Sequence, residues 1–116
     1  MRHRKKGKIL GRTSQKRRAM MRNLTASVFM YGSVKTTEAK AKTVQPIVEK
    51  LITIGKKGDQ AAQRRVNAYL KEPAAQKALF DAVPRYKERN GGYTRIVRVG
   101  KRVHDGATMA RIALID

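Results

Sequence analysis

Ten of the first 22 residues are Lys or Arg: Arg2, Arg4, Lys5, Lys6, Lys8, Arg12, Lys16, Arg17, Arg18 and Arg22. His3 stands among them, and the first acid is Glu38. Such a run repels itself and cannot be buried in a core. It is at ease only beside a dense polyanion whose condensed counterions it displaces, so nucleic acid is the expected partner.

The excess extends beyond this segment, through Lys35, Lys40, Lys42, Arg64, Arg65, Arg95, Arg98, Lys101 and Arg102, to 28 cations against 8 acids and a net charge of +20. A tail needing only solubility gains more from Asp and Glu. The 116 residues leave room for one domain with a modest core. With no cysteine the chain builds neither a disulfide nor a thiolate metal site, which fits a reducing cytosol. No apolar run approaches the length of a membrane span: Val44 to Ile54 is broken by Gln45, Pro46, Glu49, Lys50 and Thr53. Ile9 and Leu10 give way at once to Gly11 and Arg12, so the start does not read as a secretory signal.

Residues 1–12 hold Gly7 and Gly11, dense like charge and little periodicity, and read as an extended arm that orders on its partner. Residues 13–116 read as one compact domain. Thr13 or Ser14 can cap a first helix whose Met20, Met21, Leu24, Val28 and Tyr31 recur at helical spacing, with Gly32 as its stop. Ser33 to Thr36 suits a short strand. Thr37 then caps a second helix with Ala41, Val44, Val48, Leu51 and Ile52 inward, and Pro46 predicts a kink near residue 45. Asp59 caps a third helix, turning Ala62, Val66, Tyr69 and Leu70 inward and Arg64 and Arg65 outward. Pro73 opens a fourth, with Ala75, Ala78, Leu79, Ala82 and Val83 inward, and Pro84 is expected to close it. The period then changes to two. Arg95, Val97 and Val99 alternate with Thr94, Ile96 and Arg98, and Ala110, Ile112 and Leu114 alternate with Met109, Arg111 and Ala113, predicting two antiparallel strands. Gly100 to Ala107 forms a basic hairpin tip with Asp105-Gly106 as its turn. The expected order is helix, strand, three helices, two strands: an α+β fold with a small sheet packed on helices.

In the basic segments Lys and Arg supply phosphate contacts, and Arg can also clasp phosphate bidentately or stack on an exposed base. The mixture suits a folded RNA. Tyr31 ends an apolar stripe and is expected in the core. Tyr93 follows Asn90-Gly91-Gly92, a run that lets a partner approach closely; it is a candidate for stacking on a base, and the same run also reads as a turn feeding a strand. Gly7-Lys8-Ile9-Leu10-Gly11-Arg12-Thr13 is one residue short of a phosphate-binding loop, carries Arg for its Lys and follows no strand. His3 and His104 lack companions at metal-ligand spacing, and the eight acids are scattered singly, so neither a metal centre nor an active site is expected.

The ordered series Met1-Arg2-His3-Arg4-Lys5, Leu10, Arg12, Ser14, Arg17, Ala19-Met20, Arg22-Asn23, Thr36-Thr37, Lys40-Ala41-Lys42, Glu49, Leu51-Ile52-Thr53, Arg64-Arg65, Gly91-Gly92-Tyr93-Thr94-Arg95-Ile96, Gly100 and Asp105 closely resembles the bacterial large-subunit ribosomal protein L17 family. Gly11 stands where the family usually has Asn, Gln15-Lys16 where it has Ser-His, and Thr43 where it has an acid. The resemblance implies a two-layer α/β fold and a cytoplasmic place in the large ribosomal subunit near the outer end of the nascent-chain tunnel. It also implies contacts to large-subunit ribosomal RNA and neighbouring ribosomal proteins, with no cofactor and no small-molecule substrate. The rival from another class is a nucleoid or regulatory DNA-binding protein, though no helix-turn-helix pair with a base-reading helix stands out. An RNA-modifying enzyme would need a cofactor pocket that the short core can scarcely hold. A membrane-active protein would need a broader apolar face than the first helix offers.

Overall fold

The computed structural model describes residues 14–116. The arm expected over residues 1–12, and Thr13 as a cap, lie outside the described residues. The first helix, α1 (Ser14–Tyr31), buries Met21, Thr25, Val28 and Phe29. Met20 and Leu24 are half-buried against the same core. Tyr31, expected inside, is 72% exposed. At 3.6 residues per turn it sits roughly 100° round the helix from the centre of that stripe, which Thr25 and Phe29 complete. Thr25 is tolerated there because its hydroxyl donates to the Met21 carbonyl at 2.6 Å.

Gly32, at φ +80°, turns the chain into β1 (Ser33–Thr37). Thr37 Oγ1 accepts from Lys40 N at 3.3 Å and caps α2 (Glu38–Gly55). All five predicted inward residues of α2 are buried. Pro46 removes the bond to the Lys42 carbonyl but does not divide the helix, because its ring faces solvent and the apolar stripe pins both sides. Asp59 Oδ1 accepts from Ala62 N at 2.7 Å to cap α3 (Gln60–Tyr69), and Pro73 opens α4 (Pro73–Ala82). The α-helix ends at Ala82, just ahead of Pro84, as expected. Val83–Tyr86 continue as a 3-10 turn, whose early positions need no N–H from proline, and this turn carries Tyr86 into the core.

The last two strands are β2 (Thr94–Lys101) and β3 (Thr108–Leu114). They form with β1 a wholly antiparallel sheet in the order β1-β3-β2. Val34, Ile112 and Ile96 make one cross-strand row on the face covered by helices. Val44, Val48 and Ile52 of α2, Val28 of α1, Val66 of α3 and Leu79 of α4 complete the core, all at 0% exposure. The chain end is tied back where Leu114 N donates to the Gly32 carbonyl and Ile115 N to the Tyr93 carbonyl, each at 2.9 Å. The fold is α+β: helices cover one face of a three-stranded sheet and, among the described residues, nothing covers the other.

Candidate nucleic-acid interface

The uncovered face is set by register. Because side chains alternate, the row opposite the core holds Lys35, Arg111 and Val97, and the next holds Ser33, Ala113 and Arg95. Lys35, Arg111 and Arg95 are all exposed. No acid occurs in any of the three strands. Among the described residues no carboxylate lies within ion-pair distance of these three cations; Arg111 Nη1 donates instead to Ser33 Oγ at 3.3 Å. Lys35 and Arg111 stand directly opposite each other, and like charges so placed destabilise a sheet. An anion laid across the face relieves that repulsion.

Towards the hairpin the same face opens into a hollow of about 350 Å³, lined by Lys35, Lys101, Arg102 and His104 together with Val99, Val103 and Met109. A bulge between Arg98 and Gly100, with Gly100 at φ +116°, re-aims the strand here. The predicted Asp105-Gly106 turn is present, with Gly106 at φ +70°. Arg102 donates to both Asp105 oxygens, at 3.0 and 2.8 Å, and Ala107 N donates to Oδ1 at 3.1 Å. These bonds, the Arg102 guanidinium foremost, hold the Asp105 carboxyl down at about 2. The tip is thus braced by its own acid, while Lys101 is exposed and has no ion-pair partner among the described residues.

Arg98 behaves differently from Arg95. It shares the helix-facing parity of Thr94 and Ile96 and reaches Glu38 in the first turn of α2, where Lys42 also pairs at 3.6 Å. Arg98 above all holds the Glu38 carboxyl below its ordinary range. Both cations therefore already share an internal anion. They line a second hollow, of about 430 Å³, with Arg95 on its rim. Its floor is fixed by a polar relay in which Gln45 Nε2 donates to Thr94 Oγ1 at 2.9 Å and Thr94 Oγ1 donates to Glu49 Oε2 at 2.8 Å. Lys40, half-buried, caps nothing beyond its backbone bond to Thr37.

On the helical side, Lys16 and Arg18 are exposed at the start of α1 and Arg17 is half-buried, donating to Ser14 Oγ at 3.3 Å. Arg22 is half-buried with its guanidinium 5.4 Å from the centre of the Tyr69 ring. Arg64 and Arg65 are exposed on α3, as their spacing predicts. Arg2, His3, Arg4, Lys5, Lys6, Lys8 and Arg12 lie outside the described residues.

Tyr93 requires a correction. It is 1% exposed, so it is a core residue and not a platform open to bases. Its ring stands 5.2 Å from that of Tyr86 at 58°, and its hydroxyl accepts from Lys56 Nζ at 3.1 Å and Thr53 Oγ1 at 3.4 Å while donating to the Arg89 carbonyl at 3.3 Å. The Thr53 hydroxyl leads in lowering its pKa. Tyr86, whose hydroxyl donates to the Ile115 carbonyl at 2.5 Å, has its pKa raised by burial. Arg111 joins the exposed cations of the open sheet face although the basic segments of the sequence do not single it out; its outward parity in the final strand is the signal that marks it.

Fold and charge together define a small, strongly basic α+β protein with one sheet face left open and cationic, and no group of three potential metal ligands among the described residues. The model of the family described as Ribosomal protein L17 matches residues 20–115. Large ribosomal subunit protein bL17 of Caldanaerobacter subterraneus subsp. tengcongensis is 53% identical over 107 residues, covering 91% of this chain and 96% of its own. The bL17 proteins of Trichlorobacter lovleyi and Acidobacterium capsulatum are 44% and 53% identical, covering 100% and 99% of this chain and 94% and 72% of theirs. The chain belongs to the ribosomal protein L17 family, whose members are structural proteins and not enzymes.

Proposed function

We propose that this chain is a structural constituent of the large ribosomal subunit that binds and stabilises large-subunit ribosomal RNA. The observation that carries the reading is the acid-free open sheet face, where Lys35, Arg95 and Arg111 have no carboxylate partner among the described residues. The α1 cations Lys16, Arg17, Arg18 and Arg22, the α3 pair Arg64 and Arg65, and Lys101 and Arg102 at the hairpin extend the cationic surface around the domain. Lys40, Lys42 and Arg98 flank it at the start of α2. The basic arm of residues 1–12, with Arg2, His3, Arg4, Lys5, Lys6, Lys8 and Arg12, adds a segment that folds into RNA while residues 13–116 dock as one domain. Such contacts neutralise phosphates that would otherwise repel between neighbouring RNA helices. Val99 and Val103, 43% and 95% exposed near the hairpin, offer a neighbouring ribosomal protein an apolar contact. By resemblance to the family, the proposed position is near the outer end of the nascent-chain tunnel.

Competition binding tests the reading. Structured large-subunit RNA should displace a labelled RNA probe at concentrations where duplex DNA of equal length, at matched salt, does not. Equal competition by the duplex would favour the nucleoid or regulatory DNA-binding alternative. Sucrose-gradient sedimentation of a tagged copy should show migration with the large subunit that survives a moderate-salt wash; a wholly free pool would refute the assignment.

A further inference from the structure

A groove of about 300 Å³ runs between α2 and α3, lined by Ile47, Lys50, Leu51 and Ile54 on one side and Arg65 and Tyr69 on the other. The spacing explains it: 47, 50, 51 and 54 form one helical stripe of α2, and 65 and 69 lie one turn apart on α3. Ile47 and Tyr69 are only half-buried, so the groove offers an apolar wall and an aromatic ring to whatever enters it. Its rim is cationic on both sides, since Lys50 and Arg65 are exposed and neither has an ion-pair partner among the described residues. Arg22 covers part of Tyr69 from α1, and its buried Nε finds no acceptor among the described residues. An apolar slot walled by an aromatic and rimmed by cations matches a nucleotide whose base has left its stack. An acidic peptide would meet the two cations but leave the aromatic wall unused.

We infer that this groove receives one unstacked RNA nucleotide, its base against Ile47, Leu51, Ile54 and Tyr69 and its phosphate between Lys50 and Arg65. The inference rests on the RNA-binding reading and adds a site for an unpaired base to a surface otherwise suited to phosphates alone. The test is methyl and aromatic NMR on the full chain, titrated separately with a uridine hexanucleotide, a short RNA duplex and a glutamate- and leucine-rich peptide. The hexanucleotide should shift Ile47, Leu51, Ile54 and Tyr69, and the duplex should leave them still. Tyr69→Leu should weaken hexanucleotide binding at least about fivefold, the lower end for a lost base–aromatic contact, while Tyr69→Phe keeps it. Lys50→Ala with Arg65→Ala, both at exposed positions, provides a variant whose folding is not at issue and should also weaken it. If the hexanucleotide shifts only the sheet face and α1, the groove assignment is overturned and the RNA reading stands. Groove shifts with the peptide alone would make this a protein-docking site and overturn the inference, and binding of neither RNA would overturn both readings.

Discussion

Replacing Lys35, Arg95 and Arg111 together by Gln isolates the open sheet face. Each side chain is exposed and none is paired with an acid among the described residues, so the fold loses no ion pair. Removing the Lys35–Arg111 opposition should leave stability unchanged or raise it by a few tenths of a kcal/mol. Binding should respond quite differently. Each neutralised phosphate contributes about 0.7 to 0.9 to the slope of log K against log salt, so three lost contacts should flatten it by about 2 to 3. Between 50 and 200 mM salt the native chain should then lose roughly 20- to 40-fold more affinity for large-subunit RNA than the variant does.

Filter binding or fluorescence anisotropy across that salt range reads the slope directly, and a urea melt confirms that the variant is folded. A variant of native stability whose slope equals that of the native chain would refute the placement of phosphates on this face, whatever its affinity at a single salt concentration. Arg98→Gln is the internal comparison. Because Arg98 spends its charge on Glu38, its loss should flatten the slope less than loss of Arg95 alone.

Four further outcomes are expected. Arg22→Ala should cost about 1 kcal/mol in a denaturant melt through uncovering Tyr69, in addition to weakening RNA binding, whereas Arg18→Ala should affect binding alone. Tyr93→Phe should cost about 1 kcal/mol of stability for its lost hydroxyl bonds and leave RNA affinity and its salt slope unaltered, as befits a side chain buried in the core. Gly55→Ala should destabilise by about 1 kcal/mol in urea: its new Cβ would lie 2.9 Å from Leu79 Cδ2 and 3.2 Å from Val83 Cγ2, and about 1 to 3 kcal/mol of overpacking outweighs a helix-propensity gain of at most about 1. The Asp105 carboxyl should titrate by NMR at about 2 and return towards about 4 in Arg102→Ala; since its folded value is depressed, its brace on the hairpin is complete above about pH 4 and lost as pH falls through about 2.

Local signals proved most legible where one residue type decides the outcome. The Thr37 and Asp59 caps, the Pro73 start and the Gly32 stop all act where spacing put them, and the inward stripe of α2 is complete. Tyr93 and Arg98 depart from expectation for one reason, which is that a partner distant in sequence supplies the decisive contact. Tyr93 follows a glycine pair and looks like a loop aromatic until the 3-10 turn delivers Tyr86 to its ring and α2 delivers Thr53 and Lys56 to its hydroxyl. Arg98 was already on the parity of Ile96 in the strand pattern, but only the packing of α2 on β2 brings Glu38 to it. Tyr31 was misplaced because Met20 and Leu24 pulled the apparent stripe away from the one that Thr25 and Phe29 complete.

The placement of the acids limits repulsion among the cations of the domain. Its few acids are placed where cations would otherwise strain the domain: Glu38 between Arg98 and Lys42, Asp105 on Arg102, Asp81 on Lys77 at 2.7 Å, and Asp116 near Arg85 at 3.5 Å. Glu49 anchors the relay beneath β2 and Asp59 caps the start of α3. None is assigned to the strands, so neutralisation stops at the helical layer and the hairpin tip, and the open sheet face keeps its full charge. If that distribution serves folding alone, moving an acid onto the sheet should help by relieving the Lys35–Arg111 opposition. Val97→Glu, at a half-exposed site in the same cross-strand row, makes the trade explicit: it should preserve or slightly raise stability while weakening RNA binding. A variant that is both stable and undiminished in RNA affinity would mean that the open face is not where the polyanion lies.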